Sequence, residues 1–195
     1  DLIYIAGALM GSYPGQPPVP NIYIYNPLSD KWFVGPEIPR KRGSSASVLY
    51  NGKIYVVSGQ TSGHAGGLVN WVDEFNPVTN TWRQLADIPN SRDHFQVTIV
   101  NGKMYALAGR KSDYLSPEGV AGNTVAPVDV FDFTTETWTT LPASADIPTQ
   151  RAGASNAYVG NEILVLGGES NRSSFTLTRA EAFNPSTQTW RTVAN

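Results

Sequence analysis

Two groups of residues in this chain have types and spacings that could do chemistry. Arg42, Arg92 and Arg151 each stand three residues after the proline of an Ile-Pro pair: Ile38-Pro39, Ile88-Pro89 and Ile147-Pro148. A guanidinium is a rigid fork of N–H donors that matches a carboxylate in bidentate geometry. Three such forks at one place could hold an acidic ligand. The same donors could equally be consumed by backbone carbonyls or by an acid of the adjacent unit. The second group is Asp93 and His94, in the stretch SRDHF, which have no counterparts in Gly43-Ser44 or Ala152-Gly153. With His64, Trp71 and Asp73 they could form a polar pocket with an aromatic wall. That pocket would suit a sugar, whose ring stacks on the indole while imidazole and carboxylate bond its hydroxyls. The plainer alternative for His94 is a structural hydrogen bond.

What positions these residues is a repeat. Trp32, Trp82, Trp138 and Trp190 are 50, 56 and 52 residues apart, and the Ile-Pro-x-x-Arg links keep the same register. So do the turn pairs Asn51-Gly52, Asn101-Gly102 and the reversed Gly160-Asn161. So do the aromatic-led turns Tyr25-Asn26-Pro27, Phe75-Asn76-Pro77, Phe131-Asp132 and Phe183-Asn184-Pro185. A shared register of this kind marks a repeat architecture. Within each unit the signals are β. First strands are expected at 44–50, 94–100 and 153–159, and second strands at 53–58, 103–108 and 162–167. The pair between them is a two-residue hairpin turn whose central residues both need positive φ. Third strands fall at 71–75, 128–132 and 180–183, and fourth strands start at or beside each Trp of the series. No segment carries a helical period. Four antiparallel strands per roughly 50 residues make a propeller blade.

The chain resembles the kelch family. The residues that carry the resemblance are Tyr4, Tyr55 and Tyr105 before a small-residue doublet, with Leu164 in the last unit. The doublets are Gly7-Ala8, Ser58-Gly59, Ala108-Gly109 and Gly167-Gly168. The aromatic-Asn-Pro turn and the Trp opening the last strand complete the pattern. The resemblance covers the whole chain and implies an all-β, kelch-type β-propeller segment of about four blades, each a four-stranded antiparallel sheet. The blades fall near 1–38, 39–88, 89–147 and 148–195, in a single domain, and the first lacks its first strand. Kelch rings usually have six or seven blades, so the expectation is a segment of a longer propeller, closed by further blades or by self-association. The resemblance also implies that arginines at the position of Arg42, Arg92 and Arg151 reach an acidic ligand.

Composition narrows the function. Charged residues are 15% of the chain and the formal net charge is −2, which argues against nucleic acid or an anionic membrane as partner. No apolar stretch approaches the length that spans a bilayer. There is no cysteine, which removes the Cys–Tyr crosslink that copper enzymes of the galactose oxidase type need. Two histidines without ligand spacing make a poor metal site. No nucleophile elbow and no phosphate loop appear. Asn171-Arg172-Ser173 is a glycosylation sequon, informative only in a secreted eukaryotic protein.

In a propeller the connections between second and third strands, and those between blades, lie at one end, and the Asn-Gly turns lie at the other. The long variable segments 60–70, 110–127 and 169–179 therefore share an end with the Ile-Pro-x-x-Arg links, and binding concentrates on such loops. The expected function is a non-catalytic module for protein-protein recognition, with no cofactor and no metal. A carbohydrate-binding propeller, or a kelch-type enzyme acting on a sugar, is the alternative. Low charge with many Ser, Thr and Asn points to an extracellular or periplasmic setting, with a cytoplasmic one as the alternative.

Overall fold

A computed structural model describes residues 1–13, 15–63, 66–112, 123–170 and 176–193. Its described strands form four antiparallel sheets in strict sequence order. The first sheet holds β1 (Ile3–Ile5), β2 (Asn21–Asn26) and β3 (Lys31–Glu37). The second holds β4 (Ala46–Tyr50), β5 (Lys53–Val57), β6 (Val72–Asn76) and β7 (Thr81–Gln84). The third holds β8 (Gln96–Val100), β9 (Lys103–Leu107), β10 (Asp129–Asp132) and β11 (Thr137–Thr140). The fourth holds β12 (Ser155–Val159), β13 (Glu162–Leu166), β14 (Ala180–Asn184) and β15 (Thr189–Val193). The one helical element among the described residues is a 3-10 turn at Ala143–Ala145. The arrangement is a partial propeller whose first blade has three strands. First strands β4, β8 and β12 are neighbours, as inner strands of adjacent blades must be.

The hairpins form as their turn residues dictate. Asn51 and Gly52 have φ of 47° and 74°, Asn101 and Gly102 49° and 73°, and Gly160 and Asn161 57° and 72°. Two consecutive residues in the left-handed region make the turn that follows the twist of the flanking strands. The aromatic-led turns after the third strands are stapled by their own side chains. The amides of Leu28 and Val78 donate to Asn26 and Asn76 Oδ1 at 3.0 Å each, and the Ser186 amide donates to Asn184 Oδ1 at 2.9 Å. This is the local bonding that makes Asn a turn residue.

Packing between blades explains the tryptophans. Each packs on the aromatic of the third strand in its own blade: Phe75–Trp82 at 4.9 Å, Phe131–Trp138 at 5.2 Å and Phe183–Trp190 at 5.1 Å between ring centroids. Two of them also bond the preceding blade. Trp138 Nε1 donates to the Ala86 carbonyl at 2.9 Å, and Trp190 Nε1 to the Ala145 carbonyl at 2.7 Å. The inner end of each blade explains the small doublets. The Gly59 amide donates to the Arg92 carbonyl at 3.0 Å, and that of Gly109 to Arg151 at 2.8 Å. A Cβ on Gly59 would lie 2.6 Å from the Gly43 carbonyl oxygen. Backbone therefore meets backbone there, and only glycine fits. In the first blade Trp32, the counterpart of Trp82, is 57% exposed, and Val34 on the same face is 68% exposed.

Candidate functional site

The Ile-Pro-x-x-Arg links enter their blades from the loop-bearing end, and the arginines then fold inward. Arg42, Arg92 and Arg151 are among the largest fully buried side chains of the molecule. Arg42 donates to the carbonyls of Ser58 at 2.8 Å, Arg40 at 2.8 Å and Val56 at 2.7 Å, and to Asp73 Oδ2 at 2.6 Å. Arg92 takes the carbonyls of Asn90, Ala108 and Pro127 at 3.1, 3.0 and 3.1 Å and the Asp129 carboxylate. Arg151 takes those of Thr149, Gly167 and Arg179 at 3.0, 2.9 and 2.7 Å and Glu181 Oε2 at 2.6 Å. Burial pulls the pKa of all three down from the ordinary arginine value, and the acidic partner opposes that pull.

This geometry corrects the expectation of three guanidiniums turned to a ligand. Each spans the second and third strands of its own blade and neutralises an acid of the third strand there, so no donor fork faces the channel. The acid belongs to the same blade, not the adjacent one. A fully exposed guanidinium is well hydrated, but a buried one needs all its donors filled. The strand ends supply carbonyls at the required spacing in every unit, which is why the residue repeats.

The residues expected to form a polar pocket divide into two clusters. Trp71 lies beneath the Arg40 guanidinium, 5.1 Å from its ring centroid, and Arg40 also donates to Asp73 Oδ1 at 2.8 Å. Asp93 and His94 lie in the next blade, where His94 lines a separate cavity with Ser44, Phe95 and Gly153. His64 and the sequon Asn171-Arg172-Ser173 lie outside the described residues.

Asp93 and His94 instead organise a network at the inner rim of the third blade. The Asp93 carboxylate is fully buried. It accepts from the Ser112 amide at 2.8 Å, from Ser112 Oγ at 2.7 Å and from His94 Nδ1. Arg110 donates through Nε to Ser112 Oγ at 2.9 Å, through Nη1 to Glu169 Oε1 at 2.6 Å, and through Nη2 toward His94 Nε2 at 3.3 Å. An arginine can only donate, so Nε2 is the acceptor and the imidazole proton sits on Nδ1, facing Asp93. Ser112 Oγ is bonded to Asp93 and Arg110 and not to His94, so the cluster does not have the order of an acid–base triad. His94 has φ of 51°, like Ser44 at 52° and Gly153 at 62°. These three are equivalent positions chained across the blades: His94 N donates to Ser44 O at 3.2 Å and Gly153 N to His94 O at 2.7 Å.

Arg110, Ser112 and Glu169 are functional candidates that the sequence reading missed. A signal was available. Gln60, Arg110 and Glu169 occupy one repeat position, immediately after the small doublets, and make equivalent bridges to Gly43, Asp93 and Ala152. Their chemistry changes from amide to cation to anion while the scaffold around them stays the same. At the rim the His94 side chain is 21% exposed and that of Glu169 44% exposed, whereas Arg110 is 5% exposed.

Comparison with known proteins agrees with this architecture. The family model described as the KLHDC2/KLHL20/DRC7 Kelch-repeats domain matches residues 1–195. No curated protein matches the chain. Kelch domains of this kind generally mediate protein-protein interaction. The repeat register, the blade topology and the full-length match together place this chain in the KLHDC2/KLHL20/DRC7 kelch-repeat family.

Proposed function

We propose that the chain binds a protein partner through the loop-bearing end of its blades, with His94 and Glu169 as rim contacts held in place by Asp93 and Arg110. The observation that carries this reading is the contrast between two repeat positions. Arg42, Arg92 and Arg151 are identical and buried, so they serve the repeat. Gln60, Arg110 and Glu169 share one position and differ in every blade, as residues chosen for a ligand differ on a fixed scaffold. Glu169 Oε1 is taken by Arg110, and Oε2 has no hydrogen bond among the described residues. The partner chemistry this favours is an N–H donor, a lysine or arginine side chain above all.

Selection of binders from a peptide-display library against the chain tests the reading. The expected result is enrichment of basic peptides whose affinity falls with added salt, and about tenfold further with Glu169→Gln. Binders insensitive to both Glu169→Gln and His94→Ala would sink it.

A further inference from the structure

The seams between blades are built from the same repeat positions, and two of them can be compared directly at the Asn-Gly end. Between the second and third blades the seam is filled. The Glu74 carboxylate accepts from Lys53 Nζ at 2.9 Å, from Tyr55 Oη at 2.9 Å and from Arg83 Nη2 at 2.8 Å. Arg83 continues to Glu136 of the third blade at 2.6 Å. The ring of Phe133 stacks on Tyr50 at 4.0 Å between centroids. The space left over is about 190 Å³.

Between the third and fourth blades the same register positions carry other residues. Lys103 and Tyr105 repeat Lys53 and Tyr55. Val130 stands where Glu74 stands, since it pairs with Tyr105 and Thr139 as Glu74 pairs with Tyr55 and Arg83. Val100 replaces Tyr50, and Pro185 replaces Phe133. Every substitution removes bulk or charge, and the seam opens into a cleft of about 520 Å³ lined by these residues with Leu141 and Thr137. Tyr105 is 8% exposed, and its hydroxyl has no hydrogen-bond partner among the described residues. Burial pushes its phenol up, so it stays protonated and able to donate. Lys103 Nζ bonds Asp132 at 3.1 Å and has two further donors.

We infer that the cleft between the third and fourth blades binds a small carboxylic acid with an aromatic or branched apolar tail. Its carboxylate takes the place of the Glu74 side chain, accepting from Tyr105 and Lys103. Its tail occupies the space that Tyr50 and Phe133 fill in the neighbouring seam, over Val100, Val130 and Leu141. The chain itself shows how the missing groups are arranged, and the ligand supplies them from outside. This site lies at the opposite end of the blades from the proposed protein-binding rim and does not depend on it.

The probe is 3-phenylpropionate, titrated into the whole chain and followed by amide NMR shifts, with 3-phenylpropanamide as the neutral control. Saturable binding is expected with a Kd on the order of 1 mM or tighter. The shifts should centre on residues around Tyr105 and Pro185, and the amide should bind at least about fivefold more weakly. Tyr105→Phe should weaken the acid about tenfold. Val130→Glu supplies the carboxylate internally, as Glu74 does, and should abolish probe binding while the amide spectrum stays folded. The inference is overturned if the acid does not saturate, if acid and amide bind alike, or if Tyr105→Phe leaves the affinity unchanged.

Discussion

Arg151 Nη2 meets Glu181 Oε2 at 2.6 Å, with the two side chains 0% and 3% exposed. Glu181 also accepts from Thr149 Oγ1 at 2.8 Å, so its charge is bonded on both oxygens. Removing one member of such a pair strands the other in a medium that cannot solvate it. Glu181→Ala should therefore cost about 3–5 kcal/mol. Arg151→Met strands the Glu181 carboxylate and also the carbonyls of Thr149, Gly167 and Arg179, and should cost more than Glu181→Ala. Chemical denaturation of wild type and the two variants gives the comparison. An Arg151→Met variant no less stable than Glu181→Ala would contradict the clamp.

The tryptophans give a prediction with an internal control. Trp138 and Trp190 each donate Nε1 to the preceding blade, but Trp82 Nε1 is buried without a partner. Trp190→Phe leaves the carbonyl of buried Ala145 unbonded and should cost roughly 1 kcal/mol more than Trp82→Phe, while at exposed Ala86 water replaces the indole, so Trp138→Phe should fall between the two. Trp82→Phe removes an unsatisfied donor as well as ring area, so its loss should be the smallest of the three. Equal shifts in denaturation midpoint at all three sites would show that the hydrogen bonds contribute nothing.

The elements were legible because their signals are local. An Asn-Gly pair fixes its own turn, and the described strands β5, β9 and β13 begin where those turns predict. The repeat of Arg42, Arg92 and Arg151 was equally visible, but its role was not. Whether a guanidinium faces a channel or a strand depends on where carbonyls 14 to 35 positions away come to rest. The Asp93–Arg110–Glu169 network was harder still, since Arg110 and Glu169 are 59 residues apart and meet only when two blades stack. Phe133 was readable in principle. It interrupts the aromatic-Asn-Pro turn of the other units, and the structure shows it leaving the turn to fill a seam.

Glu74 makes stability depend on acid. Burial pushes its carboxyl up, but the bonds from Arg83, Lys53 and Tyr55 outweigh burial and hold it at about 2, against an ordinary 4.5. A carboxyl depressed in the folded state contributes stability that is complete above about pH 4.5 and is lost as pH falls toward 2. The amount is on the order of 3 kcal/mol. Wild type and Glu74→Gln should differ by that much at pH 6 and converge toward pH 2. A gap that stayed constant across the range would rule out this source of stability.

Gly59 and Gly52 both have positive φ, 108° and 74°, but their surroundings differ. Nothing lies within 4 Å of the Cβ position at Gly52, while at Gly59 the Gly43 carbonyl oxygen is 2.6 Å away. Gly52→Ala carries only the backbone penalty of a left-handed residue, about 1 kcal/mol. Gly59→Ala adds a collision with backbone that is itself bridged to Gln60, and neither side can retreat without breaking the inner edge of the blade. Its cost should be about 3 kcal/mol. Urea denaturation distinguishes the two, and the inner-edge contact is wrong if Gly59→Ala proves no worse than Gly52→Ala.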